Sequence, residues 1–217
     1  METQEEVEMK VEIVVFEGFD ELDAIAPFEA LQSAALVDGA DIEVKLVTLD
    51  GAEEATGAHG LRVRPDNRLG EQPDVLIIPG GGWNNRAPQG AWAELQRGDL
   101  PAAIARLHRA GVTVAAVCAG GMLAAAAGLT KDRPAVTHHL ALEDLRDTGA
   151  KIVEARVVDD GDLVTSGGVT SGLDLALWLL ERYFGAEVAS AVEGRMEHER
   201  RGVVWRRSEP AQAPVEG

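Results

Sequence analysis

Short runs of consecutive apolar residues, bounded by turn signals, alternate along this chain with stretches whose apolar positions recur at helical spacing. Residues 11–16 predict a buried strand, and a helix is expected from about 23 to 37. A second strand is expected over 42–49 and a short one over 61–64. The nearly uninterrupted apolar run 74–78 predicts a central parallel strand, which stops at Pro79-Gly80-Gly81-Gly82. A helix over 100–110, closed by Gly111, leads into a further strand over 112–117. Small apolar residues from 121 to 127 predict another helix, so Cys118 falls in a sharp strand-to-helix turn. Beyond it the pattern predicts a short strand over 135–138, a helix over 140–148 and a hairpin over 156–165. The hairpin turns at Asp159-Asp160-Gly161-Asp162, and a long helix over 171–184 follows.

Alternation of this kind predicts an α/β fold, a doubly wound and mostly parallel sheet sandwiched between helices, with its site at the C-terminal ends of the strands. The glycine loop at 80–82 and Cys118 both belong to that end. With 217 residues, 46% of them hydrophobic, the chain suits one domain. That domain is expected over residues 11–206, between an acidic tail at 1–10 and a loose end at 207–217 that carries Pro210 and Pro214.

Charge then narrows the partners. The formal net charge of −17, from 37 acidic against 20 basic residues, repels phosphate backbones and anionic lipid heads. No nucleic acid and no membrane is expected to be a partner. Only four of the basic residues are Lys, and a carboxylate-rich surface poor in Lys suggests solvation in high salt. A single cysteine excludes an intramolecular disulfide and a thiolate zinc site, and His59, His108 and His198 are scattered, so no metal and no cofactor is expected. METQEEVEMK lacks the order of a signal peptide, and no apolar stretch reaches membrane-span length, so a cytoplasmic protein is expected.

An isolated cysteine is ordinarily a small buried hydrophobe. Here it precedes a helix whose first N–H groups are unpaired, a setting expected to lower the thiol pKa, and Ala119 and Gly120 are small enough to leave the sulfur approachable. Charge developing on an attacked electrophile needs donors, for which the Ala119 N–H and one from the 80–82 loop are candidates. Of the acids after the first strand, Asp20, Glu21 and Asp23, the last is flanked by apolar residues and is expected to point inward as a proton donor. His138 or His139 can supply an imidazole, one of the two facing solvent. Gly167-Gly168 reads as a loop and helix start, and no dinucleotide or phosphate-loop fingerprint occurs.

The segments ELDAIAPFEAL (21–31), DVLIIPGGG (74–82), AVCAGGMLAAAAGL (116–129), AVTHH (135–139) and VTSGGVTSGLDLAL (164–177), in this order and spacing, resemble the ThiJ/PfpI superfamily over roughly residues 11–194. The resemblance implies a flavodoxin-like α/β sandwich, usually dimeric, with a reactive cysteine on an elbow and an acid donating to it. Cys118 then matches the nucleophile, Asp23 the contacting carboxyl, and Gly81 and Ala119 the backbone donors. His138 matches the histidine of the branch associated with glyoxal detoxification. The Leu-Asp, Pro-aromatic-acid and Gly-Gly-Val-Thr-Ser-Gly-Leu-Asp segments look most like the isonitrile hydratase branch, a lyase that adds water to an isonitrile to give an N-substituted formamide. Ala119 stands where that branch has a threonine and the peptidase branch a histidine, which argues against proteolysis. His198-Glu199-Arg200 lacks the late His-x-Glu pair of glutaminase relatives. The resemblance therefore implies a cysteine-dependent enzyme on a small electrophile, with glyoxalase or deglycase action on 2-oxoaldehydes as the alternative. A ligand- or redox-sensing module ranks third, and a homodimer is the expected assembly.

Overall fold

In the computed structural model, which describes residues 9–37 and 40–207, the opening apolar run is strand β1 (Met9–Val14). Helix α1 (Glu21–Ala34), β2 (Ile42–Thr48), the short β3 (Ala55–Thr56) and β4 (Arg62–Val63), β5 (Asn67–Arg68) and β6 (Val75–Ile78) follow. Next come α2 (Ala91–Arg97), α3 (Asp99–Arg109), β7 (Thr113–Ala116), α4 (Gly120–Ala126) and β8 (Pro134–Ala135). One 3₁₀ turn, His139–Ala141, runs into α5 (Leu142–Asp147), before β9 (Lys151–Ile152), β10 (Val157–Asp159) and β11 (Leu163–Ser166). The described chain closes with α6 (Ser171–Phe184), α7 (Ala186–Met196) and β12 (Val204–Arg206).

Eight strands make one sheet in the order β12-β10-β11-β7-β6-β1-β2-β5, parallel throughout except between β10 and β11. Helices α1, α6 and α7 pack together as one layer, and α2 to α5 as another. The expected α/β fold, a mostly parallel sheet flanked by helices, is what the chain adopts. Every residue of β6 and β7 is buried, which is why these strands read as unbroken apolar runs. No helix among the described residues is long and apolar enough to cross a membrane.

Register decides where the site lies. Ile78 pairs with Ala116, Thr165 with Ala116 from the other side, and Ile13 with Ile77, so β11, β7, β6 and β1 end at one level. Parallel strands ending together deliver their following loops to one place: residues 15–20, 79–82, 117–119 and 167–170. Gly120 is the tightest point of that junction, since a Cβ there would overlap the Ile78 carbonyl oxygen. Gly120→Ala is expected to cost about 3 kcal/mol or more, read as a lower urea midpoint at unchanged slope.

Several elements differ from the sequence expectation. Strand β1 starts at Met9, so Met9 and Lys10 belong to the sheet rather than to a tail, while residues 1–8 and 208–217 lie outside the described residues. Arg207 donates its N–H to the Asp159 carbonyl at 3.0 Å and is not part of a loose end. Only Pro134–Ala135 of the expected 135–138 strand is extended pairing; His138 instead caps the 3₁₀ turn. Helices α2 and α7 and strand β12 were not expected.

Candidate active site

Cys118 occupies the turn between β7 and α4 with φ 56°, a left-handed conformation uncommon for a side chain that bears a Cβ. The turn is held from three directions. The Cys118 N–H donates to the Gly167 carbonyl at 2.9 Å, its carbonyl accepts from Thr137 Oγ1 at 2.7 Å, and the Gly120 N–H donates to the Val117 carbonyl at 2.8 Å. Cys118 is 6% exposed, and the N–H groups of Val169 and Ala119 both reach its sulfur.

Asp23 comes from the first turn of α1. Ala24, Ala26 and Pro27 turn that face inward, and the carboxyl goes with them into full burial. Its Oδ2 accepts the Gly80 N–H at 2.9 Å, while Oδ1 has no nitrogen or oxygen partner. The carboxyl's remaining polar neighbour is the Cys118 thiol. Burial, then the charge of Asp20, pushes Asp23 up to about 8, against the pull of the Gly80 N–H and the thiol. At neutral pH the carboxyl therefore keeps its proton.

Burial likewise pushes the Cys118 thiol up, with the Asp23 charge adding to it and the Val169 and Ala119 N–H groups opposing. The expectation that a helix start lowers this pKa is corrected: desolvation of an almost fully buried sulfur outweighs the dipole of a seven-residue helix. Below the Asp23 pKa the neighbouring carboxyl is neutral, so burial and the charge of Asp20 remain to hold the thiol proton.

The glycine loop lies directly against the elbow, since a Cβ on Gly80 would come 2.6 Å from the Ala119 nitrogen. Gly80 spends its N–H on Asp23. Gly81, with φ 117°, accepts from the Ala91 N–H at 2.8 Å and, among the described residues, donates its own N–H to no acceptor. Past the loop, the Trp83 indole N–H donates to Asp144 Oδ2 at 2.6 Å and Arg86 pairs with the same oxygen at 2.9 Å, fastening the segment to α5.

His138 lies between β8 and the 3₁₀ turn. Its Nδ1 accepts the Leu140 N–H at 3.2 Å, which leaves the proton of the neutral ring on Nε2. Burial, then the neighbouring His139, holds its pKa down. Gly168 makes room for it, because any Cβ there would overlap the ring. His139 stacks 4.3 Å away and faces solvent.

Two open clefts share Val169, the residue whose N–H reaches the sulfur, though Cys118 itself lines neither. One, of about 460 Å³, is lined by His138, His139, Arg156, Gly168 and Ser171; the other, of about 520 Å³, by Asp20, Glu21, Leu22, His59 and Leu61. Glu21 is committed to the second cleft's rim, accepting His59 Nδ1 and the His59 N–H, both at 2.6 Å. Val169 was not singled out from the sequence. It holds φ 44°, strained for a β-branched residue, and the strain is what turns its N–H toward the sulfur. The Gly167-Gly168 pair marked an unusual turn there but not which N–H it presents. Arg156 was missed as well, lying just before β10 with nothing local to mark it.

A model of the DJ-1/PfpI family matches residues 9–182. An isonitrile hydratase of Pseudomonas putida is 32% identical over 193 residues, 88% of this chain and 78% of that protein. A deglycase of Thermococcus kodakarensis is 29% identical over 178 residues, 80% of this chain and 96% of that protein. The crystal structure of a ThiJ/PfpI family protein from Pseudomonas syringae has the same fold, with a TM-score of 0.79 at 23% identity over 96% of this chain and 80% of that one.

Proposed function

Because the chain belongs to the DJ-1/PfpI family, we propose that it is a cysteine-dependent enzyme on a small electrophile, and that hydration of an isonitrile to the N-substituted formamide is its reaction. One observation carries this reading: a thiol on a strained elbow stands against a fully buried carboxyl, whose burial favours its protonated form. Nucleophile and acid are thus paired before substrate arrives.

In the proposed reaction the Cys118 sulfur bonds to the terminal carbon of the isonitrile. Asp23 gives its proton to the same carbon as it takes up the proton leaving the thiol, giving a thioformimidate. Water then adds to that carbon, the nitrogen is protonated, and the C–S bond breaks to release the formamide and the thiol. The N–H groups of Ala119 and Val169 hold charge on the departing sulfur, and Gly81 offers its unused N–H to the substrate. Ala119 has no hydroxyl, so Asp23 also serves the second step, taking the water proton as it passes its own to the nitrogen. The test is formamide formation from alkyl isonitriles, followed by proton NMR. Absence of turnover alongside Cys118-dependent loss of 2-oxoaldehydes would overturn it.

The second reading, glyoxalase or deglycase action, draws on His138, which carries its proton on Nε2 and lines the cleft that includes Val169. His138→Gln separates the two. Isonitrile hydration is expected to change less than about threefold, whereas a 2-oxoaldehyde reaction that uses the imidazole as acid and base should fall about 100-fold. A sensor role is what remains if wild type turns over neither substrate class.

A further inference from the structure

Arg156 is placed unusually for a residue that forms an ion pair. Its Nε donates to Asp174 Oδ2 at 2.5 Å and its NH2 to Thr170 Oγ1 at 2.9 Å, yet the side chain also lines the 460 Å³ cleft beside His138. Asp174 does not depend on it alone. That buried carboxylate also accepts the Arg201 N–H at 2.8 Å and has His198 Nε2 at 3.6 Å. Two of five N–H groups of Arg156 are committed, and both terminal nitrogens retain hydrogens without an acceptor among the described residues.

The lining of this cleft differs from the acidic surface of the chain, although Asp174 balances the Arg156 charge from behind and the charge of Asp20 reaches His138. With 37 acidic residues in the sequence, none lines it, and its ionisable side chains are Arg156, His138 and His139. The neutral His138 ring carries its proton on Nε2, and the Ser171 hydroxyl is a further donor. The cleft on the other side of Val169 holds Asp20 and Glu21 instead. An anion entering from solvent is thus turned away by one cleft and met by the other.

We propose that the Arg156 cleft is a carboxylate subsite, and that the substrates of Cys118 are small electrophiles that carry a carboxylate. The two terminal nitrogens of the guanidinium match the two oxygens of that group, with Asp174 and Thr170 fixing the plane. The substrate half of the proposal rests on Cys118 being the nucleophile; the subsite half does not. Arg156 is in this view a specificity residue, which holds the far end of the substrate while the sulfur meets its electrophilic carbon.

The probes are propionate and its neutral counterpart propionamide, followed by the His138 ring signals in NMR. Propionate should shift these signals saturably, and propionamide at least tenfold more weakly. Arg156→Gln combined with Asp174→Asn replaces the pair by neutral groups of similar size, and Arg156→Lys keeps the charge without the fork. Both are expected to weaken propionate binding at least tenfold. In kinetics, wild type should prefer isocyanoacetate over its methyl ester through KM, and the preference should fall at least tenfold in either variant. Equal shifts from the two probes, or a carboxylate preference that survives both variants, would sink the proposal. If wild type turns over neither isonitrile while propionate still shifts His138, the subsite stands and the hydratase reading falls.

Discussion

Cys118→Ala is expected to lower turnover by at least about 10⁴-fold, the scale on which loss of an enzyme's nucleophile is felt. The only thiol of the chain is the atom to which every step of the proposed reaction is bound, and no hydroxyl follows it that can take over, since the next residue is Ala119. The fold should survive the change at a cost of about 1–3 kcal/mol, since the Val169 N–H and the buried Asp23 carboxyl lose the sulfur as a neighbour. Alanine meets the same left-handed φ of 56°, the hydrogen bonds of the elbow are backbone groups, and the substitution removes one buried sulfur. Residual kcat and the melting temperature, measured on one preparation, check both halves. A variant with a tenth of wild-type turnover or more would remove Cys118 from the mechanism.

Asp23→Asn is expected to do two opposite things. Turnover should fall 10²- to 10⁴-fold, because an amide can neither deliver nor recover a proton. Stability should rise. A carboxyl whose pKa is about 8 when folded and near 3.8 when unfolded binds its proton more tightly in the folded state. Its contribution is therefore most favourable below pH 4 and is lost as pH climbs toward 8. Between pH 4 and pH 7 the loss amounts to about 4 kcal/mol in wild type, and it vanishes in the variant. An asparagine keeps its oxygen for the Gly80 N–H and turns its amide toward the sulfur, so no buried group loses its partner. Urea unfolding of both proteins at pH 5, 6, 7 and 8 gives the difference. Parallel pH profiles would mean that Asp23 ionises as an ordinary surface acid does, and would withdraw it as the proton donor.

What the sequence disclosed, and what it hid, follows the range of the interactions involved. Strands β6 and β7 are buried on both faces and announce themselves as apolar runs; the glycine loop and elbow follow from where those runs stop. Asp23 was singled out because its small apolar neighbours turn that face of α1 inward, a local signal. Val169 and Arg156 carry none. The first matters through a backbone N–H that reaches the sulfur only once β11 lies beside β7, and the second through partners on α6. The thiol pKa was misjudged for a related reason. A helix start is visible in sequence, whereas the burial that overrides it is a property of all the layers closing around the sulfur. Strand β12, three residues that end in Arg206 and are followed by Arg207, is defined by pairing with β10 rather than by any pattern of its own.

The sheet's two outermost members, β12 and β5, are three and two residues long. Such stubs present too few unpaired N–H and C=O groups to template an incoming strand, and both lie in a chain of high net negative charge. Among the described residues, edge-to-edge growth, the ordinary route by which sheet proteins aggregate, is thereby disfavoured on both sides. The main sheet therefore offers, among the described residues, little edge on which a second copy could pair.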